Sequence, residues 1–159
     1  MVTRRAMIGL LQRVTDAQVV VDGIRVGEIG TGLVVLLAVE ATDTTAEADR
    51  LVDKIIRYRV FPDQDGRMNR SLKDTRGSLL LVPQFTLAAD TAKGLRPSFT
   101  AAAPPVMGKA LFDYAALRAR DSCSGRVATG QFGAHMRVSL TNDGPVTFWL
   151  RVSHRAIGV

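Results

Sequence analysis

The sequence predicts a single layered α/β domain in which two main helices cover mixed β-sheets. The chain has 159 residues, of which 47% are hydrophobic, enough for one well-filled core and too few for two comfortable domains. Along the chain, the spacing of apolar residues predicts strands, a helix, strands, a second helix and final strands. Residues 33–39 are continuously apolar, which is typical of a strand covered on both faces.

The first forty residues are predicted to form β-sheet. Apolar and polar residues alternate over residues 8–14, and a second short strand is expected at residues 19–21. Asp22-Gly23 then predicts a tight turn into a third strand at residues 24–29.

A helix is predicted next. Thr44 is a candidate N-cap, and Glu47 stands three residues later at the capping-box position. An apolar face follows at helical spacing, made of Ala48, Leu51, Val52, Ile55 and Ile56. The opposite face, left to solvent, holds Asp49, Asp53 and Lys54.

The middle of the chain is predicted to hold the central strand. Residues 60–62 are short and extended, and residues 63–66 form a turn, because no Glu follows at the distance that a calcium loop needs. The central strand is expected at residues 78–87, with Gln84, Phe85 and Thr86 at its C-terminal end. Taken alone, these three residues are either a buried strand end or part of a site.

A loop and a second helix are expected after this strand. Lys93 and Arg96, in the loop of residues 88–103, either contact a phosphate or solvate the loop. The helix begins near Pro104-Pro105, because proline suits a first turn. Its expected buried face consists of Val106, Ala110, Leu111, Tyr114 and Leu117.

Two alternating strands, residues 136–140 and 146–152, end the pattern. Asp143-Gly144 between them predicts a hairpin. Pro145 has no N–H to give to a ladder and fixes its own φ. Gly144-Pro145 is therefore either an ordinary turn or a rigid backbone corner that acts as a template.

The charge permits RNA binding. The formal net charge is +6, from 21 Lys and Arg against 15 Asp and Glu, which fits an RNA-binding surface without requiring one. Aromatic residues make up only 6% of the chain, so a platform that stacks single-stranded bases is not expected. Any RNA contact should be to backbone phosphates.

The usual groups of a hydrolase are missing from the sequence. His135 and His154 are the only histidines, and neither has a metal-binding spacing. There is no Gly-x-Ser-x-Gly elbow. Cys123, the only cysteine, lies in a polar helix end, so an inert thiol and a reducing compartment are predicted. Glu40 is either a functional carboxylate or a capped strand end. We expect no metal and no cofactor.

Four segments together carry a family resemblance. They are Gln12-Arg13-Val14, Pro83-Gln84-Phe85-Thr86-Leu87, Arg96-Pro97-Ser98-Phe99 and Asn142-Asp143-Gly144-Pro145-Val146-Thr147. Through them the chain closely resembles the D-aminoacyl-tRNA deacylases from about residue 7 to residue 152. Residues 1–6 are then an N-terminal extension and residues 153–159 a tail. The chain departs from the family pattern at Pro83, where Ser is usual, and at Gln131, where Arg or Lys is common.

The resemblance implies a three-layer α/β/β fold and a homodimer with a shared active site. Gln84, Phe85 and Thr86 of one subunit would form the catalytic part, and Gly144 and Pro145 of the other would reject L side chains. The N–H groups of Phe85 and Thr86 would hold the developing charge, while the 2′-hydroxyl of the terminal adenosine helps to activate water. Thr86 as a nucleophile is less favoured, because no visible base would activate it.

Arg13 either braces the Gly-Pro corner, as the resemblance implies, or is an exposed strand charge. The implied function is editing of D-aminoacyl-tRNA, and of glycine mischarged on tRNA-Ala, in the cytoplasm, with neither DNA nor a membrane as partner. Two alternatives stay open: a non-catalytic dimeric RNA-binding or translation-associated module, and a small dimeric hydrolase of free D-amino esters or peptides. A requirement for the tRNA body and its ribose hydroxyl separates the editing enzyme from the free-ester hydrolase.

Overall fold

A computed structural model describes residues 6–154 of the chain. The strands are β1 Ala6–Val21, β2 Ile24–Ile29, β3 Gly32–Ala38, β4 Phe61–Pro62, β5 Met68–Arg70, β6 Ser78–Pro83, β7 Val127–Thr129 and β8 Arg137–Ser153. The helices are α1 Thr45–Arg57, α2 Leu72–Thr75, α3 Pro105–Ser122 and a 3₁₀ helix at Phe85–Ala88. Among the described residues, no helix is both long and apolar enough to span a bilayer.

Strand β1 organises the main sheet. Its first half pairs antiparallel with β3, its second half pairs with β2, and β8 runs antiparallel along almost its whole length. Strands β3, β6 and β7 continue the sheet in parallel. The strand order is therefore β2-β1-β3-β6-β7, with β8 also paired to β1. Strands β4 and β5 form a separate pair.

Alternating residues of β3 and β6 divide the interior into two cores. Leu33 and Leu81 face the helices, where they pack in one cluster with Leu51 of α1 and Phe112 of α3. Val34 and neighbours on the other face pack with residues of β1, β2 and β7. Because side chains alternate across a strand, these clusters lie on opposite faces of one sheet. The predicted arrangement of helices over layered sheet is confirmed.

Local sequence signals predicted α1 well. Thr44 and Glu47 form the capping box, and the five apolar residues predicted to be buried are buried. One surface residue was misplaced: Asp49 is half-buried, accepts a hydrogen bond from Tyr114 Oη at 2.8 Å and lies 3.0 Å from Arg118 Nε.

The buried face of α3 was predicted wrongly. Of the five residues predicted to be buried, only Leu111 is buried and Tyr114 is half-buried. Val106 is 85% exposed and Leu117 is 56% exposed, and Ala110 is also exposed. The buried face instead consists of Gly108, Leu111, Phe112, Ala115, Ala116 and Ala119. Small residues lie on this face because α3 packs against α1 and the sheet.

The sheet differs from the prediction in several places. The two strands predicted at residues 8–14 and 19–21 are one strand, β1. The central strand ends at Pro83, so residues 85–88 are helical and not extended. Strands β5 and β7 and helix α2 were not predicted. Ser71 and Asp74 form a second capping box at the start of α2.

The predicted hairpin at Asp143-Gly144 does not form. Residues 137–153 are one strand, because both halves of β8 pair with β1 and not with each other. Gln12 pairs with Thr147 and Val14 with Asn142, so Arg13 alone faces the four residues 143–146. These four residues form a bulge, which we call the Gly-Pro bulge. It contains a cis Gly144–Pro145 peptide bond.

Candidate active site

The first motif lies where β6 turns into the 3₁₀ helix. Gln84 N–H donates to Leu37 O at 2.8 Å, which extends the β3–β6 pairing by one bond. The Gln84 side-chain amide donates to Thr86 Oγ1. Thr86 Oγ1 is therefore an acceptor for an amide in this structure, and no base is in contact with it among the residues described.

Two backbone donors are available at this turn. The first hydrogen bond of the 3₁₀ helix runs from Leu87 N–H to Gln84 O at 3.2 Å. The N–H groups of Phe85 and Thr86 precede it, and within residues 6–154 neither has a backbone acceptor. Both residues are exposed. Adjacent N–H groups without a backbone acceptor can stabilise a developing oxyanion.

An open cleft of about 590 Å³ adjoins the motif. Gln84 and Phe85 line one side, and the ring of Phe85 lies 5.3 Å from that of Phe99. The segment before β8 lines the other side through residues that include His135 and Met136. The lining is mostly aromatic and aliphatic, so the cleft suits a planar or apolar group presented beside the two amides.

Sequence reasoning missed this second wall. His135 was considered only as a metal ligand and Met136 only as a strand residue, whereas both precede β8 and line the cleft. The sulfur of Met136 accepts a hydrogen bond from Gln131 N–H at 3.3 Å, which stabilises the turn between β7 and β8. No local signal marks these residues, because their role depends on where β7 and β8 bring them.

Side-chain hydrogen bonds close the Gly-Pro bulge. Val146 N–H donates to Asn142 Oδ1 at 2.9 Å, and Asn142 Nδ2 donates to Thr147 Oγ1 at 2.8 Å. Gly144 has a φ of +134°, a conformation that L side chains rarely adopt. Gly144 and Pro145 are both exposed. The bulge therefore presents a fixed stretch of backbone at the surface.

Arg13 links this bulge to the body of the protein. Its Nε donates to Asp143 O at 3.1 Å and its Nη1 donates to Val60 O at 2.7 Å. Nε also lies 3.5 Å from Asp143 Oδ2. Only 13% of the Arg13 side chain is exposed, so it is not the exposed strand charge of the alternative interpretation.

The two motifs lie apart within one chain. Pro83, the residue before Gln84, pairs with Leu37 of β3, and Leu37 pairs with Gly9 of β1. The bulge in β8 lies opposite Arg13 of β1, four residues further along that strand. The two motifs are therefore separated by about 13 Å along the strands, since four residues of a strand span that length. They are also separated by about 14 Å across a flat sheet, since β8 and β6 are three strand spacings apart. Among the described residues, none from the bulge lines the cleft.

The predicted RNA contacts lie outside the cleft. Lys93 and Arg96 are exposed on a loop that Asp90 and Ser98 close with two backbone hydrogen bonds of 2.7 and 2.9 Å. Neither side chain lines the cleft. Glu40 is buried and accepts a hydrogen bond from Ala6 N–H at 3.1 Å, which agrees with a capped strand end.

Comparison with known proteins identifies the family. A family model described as D-Tyr-tRNA(Tyr) deacylase matches residues 10–151. The chain belongs to this family. The deacylase model spans both motifs, Arg13 and the cleft, so the resemblance stated from the sequence is confirmed.

Curated relatives of the deacylase family are similar over most of the chain. A protein from Janthinobacterium sp. (strain Marseille) named D-aminoacyl-tRNA deacylase is 62% identical over 146 residues, covering 92% of this chain and 97% of that protein. A protein of the same name from Thioalkalivibrio sulfidiphilus (strain HL-EbGR7) is 62% identical over 148 residues, covering 92% and 97%.

Solved structures share the fold. One titled c-Myc DNA Unwinding Element Binding Protein superposes with a TM-score of 0.88 at 36% identity, covering 92% of this chain and 99% of that chain. A second, titled as a probable eukaryotic D-amino acid tRNA deacylase, gives a TM-score of 0.80 at 19% identity, covering 92% and 100%. The second similarity concerns the fold alone.

Proposed function

We propose that this protein hydrolyses the ester bond of D-aminoacyl-tRNA, releasing the free D-amino acid and tRNA. Membership of the deacylase family carries the proposal, because the match spans the whole candidate site. The local structure supports it: Gln84 and Phe85 line an open cleft, and the N–H groups of Phe85 and Thr86 have no backbone acceptor within residues 6–154.

The chemistry needs little from side chains. An aminoacyl ester is already reactive, and its ribose carries a neighbouring hydroxyl that can help to activate water. The N–H groups of Phe85 and Thr86 then stabilise the oxyanion, and the cleft fixes the terminal nucleotide in position. Thr86 acts by orientation and not as a nucleophile, since its hydroxyl contacts only the Gln84 amide among its described partners.

Two observations support a homodimer with a shared site. The Gly-Pro bulge and the cleft lie apart in one chain, so a second copy must supply the bulge if both act on one substrate. In addition, β8 has β1 as its only partner strand among the described residues, which leaves a 17-residue strand with an open edge. Long open edges favour pairing with another chain.

Selection for D-amino acids follows from this arrangement. The partner's bulge would crowd the position of an L side chain with backbone atoms that Arg13 and Asn142 hold in place. A screen of this kind accepts many D side chains. It also accepts glycine, so glycine mischarged on tRNA-Ala is expected to be a substrate. Since charged tRNA is the substrate, we place the activity in the cytoplasm.

One comparison separates this function from its alternatives. The purified protein is incubated with D-Tyr-tRNA, with the same tRNA ending in 2′-deoxyadenosine, and with D-tyrosine ethyl ester. Rapid hydrolysis of the first alone supports the proposal. Equal hydrolysis of the ethyl ester indicates a free-ester hydrolase. Binding of all charged tRNAs without hydrolysis indicates an RNA-binding module.

Subunit mixing tests the shared site. A Phe85→Pro variant removes one amide donor, and a Gly144→Ala variant distorts the bulge. If the two parts meet across a dimer, mixed dimers contain one intact site, and random exchange restores about a quarter of wild-type activity. No recovery in mixed dimers, with exchange confirmed by mass spectrometry, refutes the shared site.

A further inference from the structure

A second cluster of titratable side chains lies outside the cleft. Asp43 and Glu47 stand at the start of α1, and His154 stands just after the end of β8. One ligand atom from each of the three lies within 4.8 Å of the others. His154 lies three residues beyond the part of the chain that the family model matches, so the proposed deacylase function does not account for this cluster.

Asp43 has an unpartnered buried oxygen. The residue is only 3% exposed. Its Oδ2 accepts a hydrogen bond from Glu40 N–H at 2.7 Å, but its Oδ1 has no hydrogen-bond partner among the described residues. Oδ1 faces His154 Nε2 at 3.9 Å, too far for a hydrogen bond. A buried carboxylate oxygen with no donor is costly, and a bound cation at this position would offset that cost.

Glu47 directs one oxygen toward the other ring nitrogen of His154. Its Oε2 is held by the capping box, accepting from Thr44 N–H at 2.7 Å and Thr44 Oγ1 at 2.6 Å. Its Oε1 lies 3.0 Å from His154 Nδ1 and 3.5 Å from Arg50 Nη2. The cap fixes the carboxylate through Oε2, while Oε1 faces His154 and accepts only a long hydrogen bond from Arg50.

The spacing suits a small divalent ion after modest closure. Zinc binds imidazole nitrogen and carboxylate oxygen at about 2.0–2.2 Å in a tetrahedron, which places ligand atoms about 3.4 Å apart. The three ligand atoms lie no more than 4.8 Å apart, so closure requires movements of about 1.5 Å or less. His154 lies at the end of the strand and 39% of its side chain is exposed, so it can make such a movement. Water can occupy the fourth position.

The surrounding charges leave room for a cation. Glu40, Asp43 and Glu47 contribute three carboxylates. Arg151 Nη2 lies 3.9 Å from Glu40 Oε1, and Arg50 Nη2 donates mainly to Ser153 O at 2.6 Å. Within residues 6–154 no Lys or Arg pairs with Asp43, so its carboxylate is available to a cation that a neutral imidazole also binds.

We propose that Asp43, Glu47 and His154 bind one zinc-type divalent ion, which ties the end of β8 to the start of α1. The bound ion would stabilise the segment around Glu40, which is next to the cleft. Glu40 bridges to Ala102, which lines the cleft, while its backbone N–H holds Asp43. The mixed nitrogen and oxygen ligands favour zinc over magnesium, which prefers oxygen ligands alone.

Calorimetric titration tests the site. Chelator-treated, dialysed protein is titrated with ZnCl₂ and, separately, with MgCl₂, and its melting temperature is measured with and without each metal. We expect one zinc per chain, a melting temperature raised by several degrees, and no response to magnesium. His154→Ala and Glu47→Gln should each weaken zinc binding at least tenfold.

Two control variants make the result specific. His135→Ala removes the other histidine and Cys123→Ser removes the thiol, and both should bind zinc as the wild type does. Zinc binding that survives His154→Ala, or that is lost in either control, overturns the assignment. The absence of zinc binding in the wild type also overturns it.

Discussion

Replacing Gly144 with alanine tests the role of the Gly-Pro bulge. At a φ of +134° an alanine carries about 1–3 kcal/mol of backbone strain. Its Cβ would also lie 2.7 Å from Val146 Cγ2 and 3.1 Å from Val146 N. Val146 N–H closes the bulge on Asn142, so the bulge must shift. If the shift of the bulge raises the activation free energy by about 1.4–2.7 kcal/mol, D-Tyr-tRNA hydrolysis slows about 10- to 100-fold.

The assay is single-turnover hydrolysis of D-Tyr-tRNA, with the melting temperature as a check on folding. Gly23→Ala is the matched control. Gly23 also has a positive φ, +76°, and nothing lies within 4 Å of its Cβ position in the β1–β2 turn. The Gly23→Ala variant should therefore carry backbone strain as Gly144→Ala does, but it should hydrolyse D-Tyr-tRNA at the wild-type rate. A Gly144→Ala protein that is folded and hydrolyses both D-Tyr-tRNA and L-Tyr-tRNA at the wild-type rates would refute a role for the bulge in selection.

Three further substitutions or measurements test other parts of the structure. Arg13→Ala removes the hydrogen bonds to two backbone carbonyls and should reduce the ratio of D to L hydrolysis at least tenfold, while Arg13→Lys restores part of it. Leu111→Ala should cost about 2–4 kcal/mol of unfolding free energy in urea, whereas Leu117→Ala should change it by less than about 0.5 kcal/mol; equal costs contradict the α3 packing. Burial raises the pKa of the Cys123 thiol, so less thiolate forms at a given pH and Ellman's reagent at pH 8 should react more slowly than with the unfolded chain.

Local signals in the sequence were sufficient for much of the fold. The capping box of Thr44 and Glu47 with a clear apolar face predicted α1, and Asp22-Gly23 predicted the β1–β2 turn. Both depend on residues close together in the chain. The alternation in β8 was also recognised, because period-two patterning is independent of which strand becomes the partner.

Long-range pairing explains the main errors. Asp143-Gly144 has the composition of a hairpin turn, but β1 is long enough to pair with both flanking segments, and the residues between them form a bulge. In α3, apolar residues occur on more than one face, so only packing against α1 and the sheet decides that Leu111 is buried and Leu117 is not.

The candidate site was predictable in its residues and not in its geometry. The motifs at Gln84-Phe85-Thr86 and Gly144-Pro145 were found through the family resemblance. The 3₁₀ turn that exposes the Phe85 and Thr86 amides, and the opposite cleft wall at His135 and Met136, depend on tertiary contacts. The link from Arg13 to Val60 joins residues 47 positions apart.

The most direct measurement compares hydrolysis of D-Tyr-tRNA and L-Tyr-tRNA by the purified protein, with EDTA present throughout and glycine on tRNA-Ala as a third substrate. Rejection of L side chains by backbone predicts that the D and glycine esters are cleaved and that the L ester is cleaved at least a thousandfold more slowly. A thousandfold difference corresponds to about 4 kcal/mol, within reach of a steric clash together with a lost hydrogen bond. Cleavage of the D and L esters at equal rates, or of neither, would contradict the proposed function.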